Sequence, residues 1–193
     1  IGSNANEAEI FVQQGTLLTC GDVTDRLNAN FDDASIVKKI SDLYPCSFLN
    51  PRRSYVDGVS DMVFTCAARR ALRAVAKGGK AAGHRYYFKH TYQLGPEAVL
   101  RAFHTAEIPF VFGTFSSLGY VPTPGESKLS ETIQSYWGHF AATGTPTAAG
   151  APLWEAYVAS RDNAIVLDTT IEATDGIQTE KCDFWDSLLP KTP

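Results

Sequence analysis

Several features that assign a function directly are missing from this sequence of 193 residues. No apolar run reaches the ~18 residues typical of a membrane-spanning helix. The formal net charge of −4 does not favour nucleic-acid binding, which usually requires a basic domain. The four cysteines include no Cys-x-x-Cys pair, which argues against zinc and thioredoxin-type chemistry. We therefore expect no transmembrane segment, no nucleic-acid partner, no metal and no cofactor.

The overall composition is that of a soluble globular protein, with 44% hydrophobic and 20% charged residues. A chain of this length can form one domain whose core buries roughly 70% of the unfolded surface. The N-terminal residues Ile1-Gly2-Ser3-Asn4 include neither an initiator methionine nor the charged and apolar regions of a signal peptide. We expect them to be the end of a strand within a longer protein.

Apolar spacing and turn residues predict helices separated by two strands. The predicted helices cover 6–12, 23–30, 34–43, 55–76, 96–100, 129–141 and 180–189. The predicted strands cover 85–92 and 164–167. Strands that alternate with helices favour the α/β class.

Four cations lie near the C-terminal end of the predicted helix 55–76, where positive charge suits the helix dipole. They are Arg69, Arg70, Arg73 and Lys77. A phosphate or nucleic-acid site is one interpretation of such a cluster, but a solvated helix face is far more common. We expect these side chains to face solvent.

The stretch from Ala102 to Gly113 contains a histidine, His104, followed by Glu107 and a dense apolar run. A histidine can take and return a proton near neutral pH, so it often serves as a general base. Such a histidine is nevertheless more often a packed or surface residue than a catalyst. His104 and Glu107 also supply only two of the four ligands that a structural metal site needs. The stretch indicates catalysis only if other segments supply partners.

Four stretches of the sequence carry motifs of one protein family in the order in which that family has them. They are GSNANEA at 2–8, RAFHTAEIPFVFG at 101–113, SYWGHFAATGTP at 135–146 with a Trp-x-x-Tyr after it, and KCDFWD at 181–186. On these motifs the chain resembles the C-terminal part of the type-B carboxylesterases, the α/β-hydrolases that include cholinesterases and fungal lipases of that lineage. The resemblance covers nearly the whole chain and is weakest over residues 15–50.

The resemblance implies that residues 1–193 are the C-terminal part of a single α/β-hydrolase domain. Its central, mostly parallel sheet would be flanked by helices and completed by an N-terminal segment outside this sequence. The family pattern Gly-x-x-His-Gly-x-Glu stands here as Arg101-Ala-Phe-His104-Thr105-Ala-Glu107.

The resemblance also implies catalytic roles for His104 and Glu7. His104 would take a proton from a nucleophilic serine and return it to the leaving alcohol, and Glu7 would fix the tautomer of the imidazole. Glu9 is the nearest competitor for the acid role, but it would face differently from Glu7, so only one of them should reach His104. Ala8 and Thr105 stand where the family has glycine, which affects backbone geometry and removes no chemical group.

The nucleophile of this family lies in Gly-x-Ser-x-Gly, a strained turn between a strand and a helix, and this sequence has no such motif. Gly125-Glu126-Ser127 begins similarly, but it follows the histidine, whereas the order in these hydrolases is serine, acid, histidine. We expect Ser127 to be structural. The serine and the oxyanion hole would then lie on an N-terminal segment or chain of the same protein.

The remaining aromatic and histidine candidates have weaker support. In similar enzymes the apolar residues after the histidine border the substrate gorge, so Phe110 and Phe112 are candidates for a substrate pocket. His84, His90 and His139 match no family role, and we expect them to be surface or packed residues.

Four cysteines allow three pairings, and the family pattern implies one of them, Cys66–Cys182. By the chain-entropy model a loop of that length is worth roughly 4–5 kcal/mol. Cys20 either pairs with Cys46 or bonds to the N-terminal segment, and free thiols are the alternative to both. Disulfides indicate an oxidising compartment, so we expect a secreted or extracytoplasmic protein.

The implied activity is hydrolysis of a small-molecule or lipid carboxylic ester through an acyl-enzyme, requiring the N-terminal part. The alternative is a non-catalytic, cholinesterase-like adhesion or scaffolding protein, because some family members keep the fold without the nucleophile. The presence of both His104 and Glu7 favours the enzyme.

Overall fold

The computed structural model describes residues 1–13 and 19–189. A four-stranded sheet contains β1 (Gly2–Asn4), β2 (Tyr86–Phe88), β3 (Ala164–Leu167) and β4 (Glu172–Thr174), in that spatial order. β1, β2 and β3 are parallel, and β4 is antiparallel to β3. The helices around this mostly parallel sheet confirm the predicted α/β class.

Within residues 1–13 and 19–189, the α-helices are α1 (Cys20–Asn30), α2 (Ala34–Leu43), α3 (Pro51–Ser60), α4 (Cys66–Gly78), α5 (Ile108–Phe112), α6 (Pro124–Thr143) and α7 (Thr179–Ser187). Short 3-10 helices cover Glu7–Ile10, Pro96–Leu100 and Phe115–Leu118, and a π-helical turn at Asp61–Thr65 joins α3 to α4. Within the described residues, no helix combines the length and apolar character needed to cross a membrane.

Local capping explains where two helices begin. α2 has the predicted bounds because the Asp33 side chain accepts a hydrogen bond from the Ser35 amide at 2.7 Å, as an N-cap should. α6 begins five residues earlier than predicted, because Thr123 and Glu126 form a reciprocal capping box around Pro124. Pro124 and Gly125 are therefore part of the first turn of this helix.

Other elements also differ from the sequence prediction. β2 spans three residues, whereas the aromatic run predicted a strand over 85–92. The predicted helix 55–76 is two helices joined by the π-helical turn. β4 was not predicted, because Glu172–Thr174 is short, polar and partly exposed.

Hydrophobic residues form two cores. The main core joins β2 and β3 to α5 and α6, with Phe88, Phe110 and Ile133 completely buried. The second core lies between α1, α2 and α7 and includes the Cys66–Cys182 disulfide. The second disulfide, Cys20–Cys46, joins the start of α1 to the segment after α2.

The cation-rich end of α4 is not the solvated face that its sequence predicts. Arg69 is completely buried, with its guanidinium 2.8 Å from Asp162 and 2.6 Å from Asp183. Arg70 pairs with Asp186 at 2.8 Å. A buried guanidinium requires such partners, because an unpaired charge in the interior is costly. For Arg69 the prediction is wrong, and the cations of α4 tie it to α7.

Candidate active site

The parallel pairing of β1 and β2 brings the acid and the histidine together. Because parallel strands end at the same edge of a sheet, the segments that follow β1 and β2 meet there. The 3-10 turn Glu7–Ile10 follows β1 almost immediately, and the loop carrying His104 returns to it. The Asn6 amide donates to the Ala102 carbonyl at 3.0 Å, which joins the two segments through their backbones.

His104 and Glu7 are in direct contact, with His104 Nδ1 2.6 Å from Glu7 Oε2. The other carboxylate oxygen, Oε1, accepts a hydrogen bond from the Asn4 amide at 2.7 Å. Glu7 is 5% exposed, whereas the His104 side chain is 39% exposed. No residue in the described part of the chain hydrogen-bonds to His104 Nε2. The imidazole is therefore oriented at one nitrogen and available at the other.

The Glu7 carboxylate is strongly affected by its burial. Burial raises the pKa of Glu7, and the hydrogen bonds from Asn4 and His104 oppose that rise without cancelling it. A buried carboxylate needs hydrogen-bond donors, and the Asn4 amide and His104 Nδ1 supply them here.

Two phenylalanine rings lie against the imidazole of His104. The ring centres of Phe11 and Phe64 each lie 5.3 Å from that of His104. Phe11 and Phe64 are themselves stacked, with centres 6.0 Å apart. Phe64 is in the π-helical turn, a feature often found at functional sites. Neither residue was a predicted site residue, because their proximity depends on this turn.

Asn4 connects both halves of the site. Its side chain is buried and donates to the Phe103 carbonyl at 2.7 Å and to Glu107 Oε2 at 2.5 Å, while its backbone amide bonds to Glu7. Asn4 was also missed as a site residue. In the parts of the chain that the structure describes, no group of His, Cys, Asp or Glu side chains could hold a metal ion.

The other candidate residues lie away from this contact or have other partners. Phe110 is completely buried in the main core, so it packs the fold and presents no surface to a ligand; Phe112 is 66% exposed. Glu9 contacts Arg52 and Arg101 and does not contact His104. Ser127 lies in the first turn of α6. His84 and His90 are buried, and His139 is exposed.

A second histidine with acidic partners, His90, lies in the interior and is 2% exposed. Its Nδ1 lies 2.8 Å from Asp168, and its Nε2 lies 3.0 Å from Glu126. Tyr120 donates to Glu126 at 2.7 Å. We call His90, Glu126 and Asp168 the His90 cluster; sequence reasoning described His90 only as surface or packed.

The His90 cluster is an ionised pair network. Burial alone would lower the pKa of His90, but its hydrogen bonds to Asp168 and Glu126 outweigh burial and raise that pKa. Burial alone would raise the pKa of Glu126, but hydrogen bonds from His90, Thr123 and Tyr120 lower it to about 2. Both ring nitrogens are occupied, which makes His90 a structural cation.

Comparison with known proteins finds a family and relatives for this chain. The sequence model of the carboxylesterase family matches residues 10–185. Carboxylesterase 5A of Canis lupus familiaris is 32% identical over 151 residues, which are 72% of this chain and 25% of that protein. Acetylcholinesterase of Bungarus fasciatus is 41% identical over 93 residues, 46% of this chain and 15% of that protein.

A bacterial relative aligns along most of the chain. Para-nitrobenzyl esterase of Bacillus subtilis (strain 168) is 26% identical over 185 residues, which are 94% of this chain and 36% of that protein. The chain thus spans about a third or less of the length of these relatives. Since the family model covers most of the sequence, the chain belongs to the carboxylesterase family.

Proposed function

We propose that this chain supplies the base, His104, and the acid, Glu7, of a Ser-His-Glu triad that hydrolyses carboxylic esters. The observation that carries the proposal is the 2.6 Å contact between His104 Nδ1 and a buried Glu7 carboxylate. A hydrogen bond there fixes the tautomer in which Nε2 carries a lone pair, as a general base requires. Membership of the carboxylesterase family supports the reaction class.

In the proposed reaction His104 moves a proton twice. Nε2 accepts the proton of the serine hydroxyl as its oxygen attacks the ester carbonyl, and the imidazolium then protonates the departing alcohol. Water attacks the resulting acyl-enzyme, giving a proton to Nε2, and the carboxylic acid leaves as the serine is reprotonated. Glu7 stabilises the imidazolium in both halves of the cycle.

The serine and the oxyanion hole belong, in this proposal, to an N-terminal segment outside residues 1–193. The support is the absence of Gly-x-Ser-x-Gly from the sequence and the short share of its relatives that the chain spans. The edge of β1 also has no further strand beside it in the described sheet, which leaves room for additional strands.

We propose a small-molecule or lipid ester as the substrate. Phe11 and Phe64 beside His104, and the exposed Phe112, give the region near the base an apolar character, which suits the acyl or alcohol part of an ester. Two disulfides support a secreted or extracytoplasmic location, because such bonds persist in oxidising compartments.

Hydrolysis of p-nitrophenyl butyrate by the full-length protein tests this function. We expect steady turnover preceded by a burst of p-nitrophenol, because the acyl-enzyme forms before water releases it. Butyrate, octanoate and palmitate esters compared under the same conditions would define the preferred acyl length. A full-length protein with no turnover above the blank would instead support an adhesion or scaffolding role.

A further inference from the structure

Glu9, on the same turn as Glu7, forms ion pairs with two arginines through both of its carboxylate oxygens. Glu9 is 4% exposed, and one of its oxygens contacts the guanidinium of Arg52. The other oxygen, Oε2, accepts from Arg101 Nη2 at 2.6 Å and from Arg101 Nε at 3.1 Å. A buried carboxylate between two guanidinium groups is a satisfied ion pair of well-defined geometry.

Arg101 lies three residues before His104 and has an unusual backbone conformation. Its φ is 56° and its ψ is −147°, a region occupied almost only by glycine. A side chain in such a region costs roughly 1–3 kcal/mol and persists only where the surroundings enforce it. Here the enforcing contacts are the two bonds to Glu9 and a third, at 3.1 Å, from Arg101 Nη1 to Asp57.

Three successive ties therefore join the turn after β1 to the His104 loop. Glu9 binds Arg101, the Asn6 amide binds the Ala102 carbonyl, and Glu7 binds His104. The Arg101–Glu9 contact is a largely buried ion pair in which two Arg101 nitrogens donate to one carboxylate oxygen, whereas the His104 side chain is 39% exposed. The Arg101–Glu9 ion pair thus holds the His104 loop at its N-terminal end, three residues before His104.

We propose that Arg101 and Glu9 are positioning residues that set the distance between the acid and the base. We call the Arg101–Glu9 ion pair the clamp. This inference rests on the proposed triad, since the clamp affects the reaction rate only if Glu7 and His104 act together. Neither residue touches the reacting atoms. Without the clamp the His104 loop is free to shift relative to Glu7, and a misplacement of ~1 Å can cost about 100-fold in rate.

The most informative variant is Arg101→Gly in the full-length protein. Glycine accepts this backbone conformation without strain, so the variant removes the clamp and relieves the backbone at once. We expect kcat for p-nitrophenyl butyrate to fall about 10- to 100-fold while KM changes little. A purely structural Arg101 predicts unchanged kcat in every molecule that folds.

Two further variants distinguish the loss of the Arg101–Glu9 ion pair from the loss of a positive charge and from misfolding. Arg53→Gln removes an arginine whose side chain is 61% exposed and lies 3.8 Å from Asp57, and we expect its kcat and KM to match wild type. Arg101→Lys keeps the charge without the two-pronged contact, and we expect it to recover part of the lost kcat. The urea midpoint of each variant verifies that the measured molecules are folded.

A spectroscopic readout tests the clamp without relying on turnover. The proton on His104 Nδ1, held by Glu7, should give a far-downfield resonance in the full-length protein labelled with ¹⁵N-histidine. We expect this signal to broaden or vanish in Arg101→Gly and Glu9→Gln, and to persist in Arg53→Gln. If the wild type lacks esterase activity, the proposed function fails and this signal alone decides the clamp. An unchanged signal in Arg101→Gly, or an unchanged kcat in an active protein, would overturn the inference.

Discussion

His104 and His90 both contact carboxylates, but they differ in exposure and in the number of ring nitrogens that have a partner. His104 uses one ring nitrogen to contact a buried carboxylate, Glu7, and its side chain is 39% exposed. His90 is 2% exposed and uses both nitrogens, contacting Asp168 and Glu126. A general base must keep one nitrogen for the reacting proton. The difference teaches that a histidine–carboxylate contact indicates catalysis only when the second nitrogen is unoccupied.

The carboxylates that contact these histidines, Glu126 and Glu7, also differ in their hydrogen-bond donors and in the direction of their pKa shifts. Glu126 accepts hydrogen bonds from His90, Tyr120 and Thr123, which outweigh its burial and lower its pKa to about 2. Glu7 has fewer donors, and burial raises its pKa. The His90 cluster is therefore a network of paired charges that joins the ends of β2 and β3 to the start of α6. The pKa of Glu7 stays raised although Glu7 hydrogen-bonds to His104, so this pair is not a network of fixed charges like the His90 cluster.

The largest expected effect comes from His104→Ala in the full-length protein. We expect kcat/KM for p-nitrophenyl butyrate to fall by about 10⁴ to 10⁶, because the serine loses its base. The unfolding free energy should change less than in His90→Leu, since the His104 side chain is 39% exposed and water can reach the Glu7 side of the pair when the imidazole is removed. Folded His90→Leu molecules should keep near-normal kcat/KM. A loss below about tenfold in His104→Ala would remove His104 from the base role.

Glu7→Gln is expected to have the next largest effect. An amide at this position orients the imidazole wrongly and does not stabilise the imidazolium, so we expect kcat to fall by about 10³ to 10⁴. Glu131→Gln is the matched control, because that carboxylate is on α6 and is 69% exposed. If Glu7→Gln and the control have similar kcat, a different residue orients His104.

His90→Leu should mainly affect stability. It removes the cation between two carboxylates, and breaking a buried pair in this way costs about 3–5 kcal/mol of unfolding free energy. The control is His139→Leu, at an exposed histidine, where we expect less than about 1 kcal/mol. Urea unfolding of both full-length variants measures the difference. Equal midpoints would show that the His90 cluster does not stabilise the fold.

The free energy of unfolding should depend on pH through the two ionisable groups Glu126 and His90. The pKa of Glu126 is lowered from 4.5 to about 2, so its stabilisation is present above pH 4.5 and is lost as the pH falls towards 2. The pKa of His90 is raised above 6.5, so its stabilisation is present below pH 6.5 and is lost as the pH rises through the raised value.

We therefore expect the difference in unfolding free energy between wild type and His90→Leu to be largest between pH 4.5 and 6.5. This difference should become smaller below pH 4.5, because the carboxylates become protonated, and above pH 6.5, because the imidazole becomes neutral. Urea unfolding at several pH values measures it. A constant difference across the range would mean that His90 stabilises the fold by packing alone.

The smallest effect concerns strain, which affects the His104 loop and not the His90 cluster. Thr105 follows His104 with a φ of 74°, and a β-branched residue in this left-handed region costs roughly 1–2 kcal/mol. We expect Thr105→Gly to raise the unfolding free energy by up to about 1 kcal/mol, after the entropic cost of glycine. Thr114, with a φ of −99°, is the control, and Thr114→Gly should lower stability.

Sequence reasoning succeeded where the signal is local or belongs to a family motif. The start of α2 follows from Asp33, whose side chain caps the helix. The Cys66–Cys182 pairing, implied by family motifs, is present in the structure. The motifs also nominated Glu7 and His104, which the structure brings into contact.

The parts that were missed depend on contacts between distant segments. The His90 cluster joins residues 36 and 78 positions apart, and nothing near His90 in the sequence indicates its partners. The burial of Arg69 depends on carboxylates more than 90 positions away, Asp162 and Asp183. Phe64 reaches His104 because a π-helical turn interrupts a helix that the apolar spacing predicts to be continuous.

The central claim is that His104 activates a serine outside residues 1–193 while His90 only stabilises the fold. Labelling with a fluorophosphonate, which reacts with activated serines, tests it directly when the modified residue is mapped by mass spectrometry in the full-length protein. We expect one labelled serine, outside this sequence, in wild type and in folded His90→Leu, and no labelling in His104→Ala. A labelled serine within residues 1–193, or undiminished labelling in His104→Ala, would contradict the account.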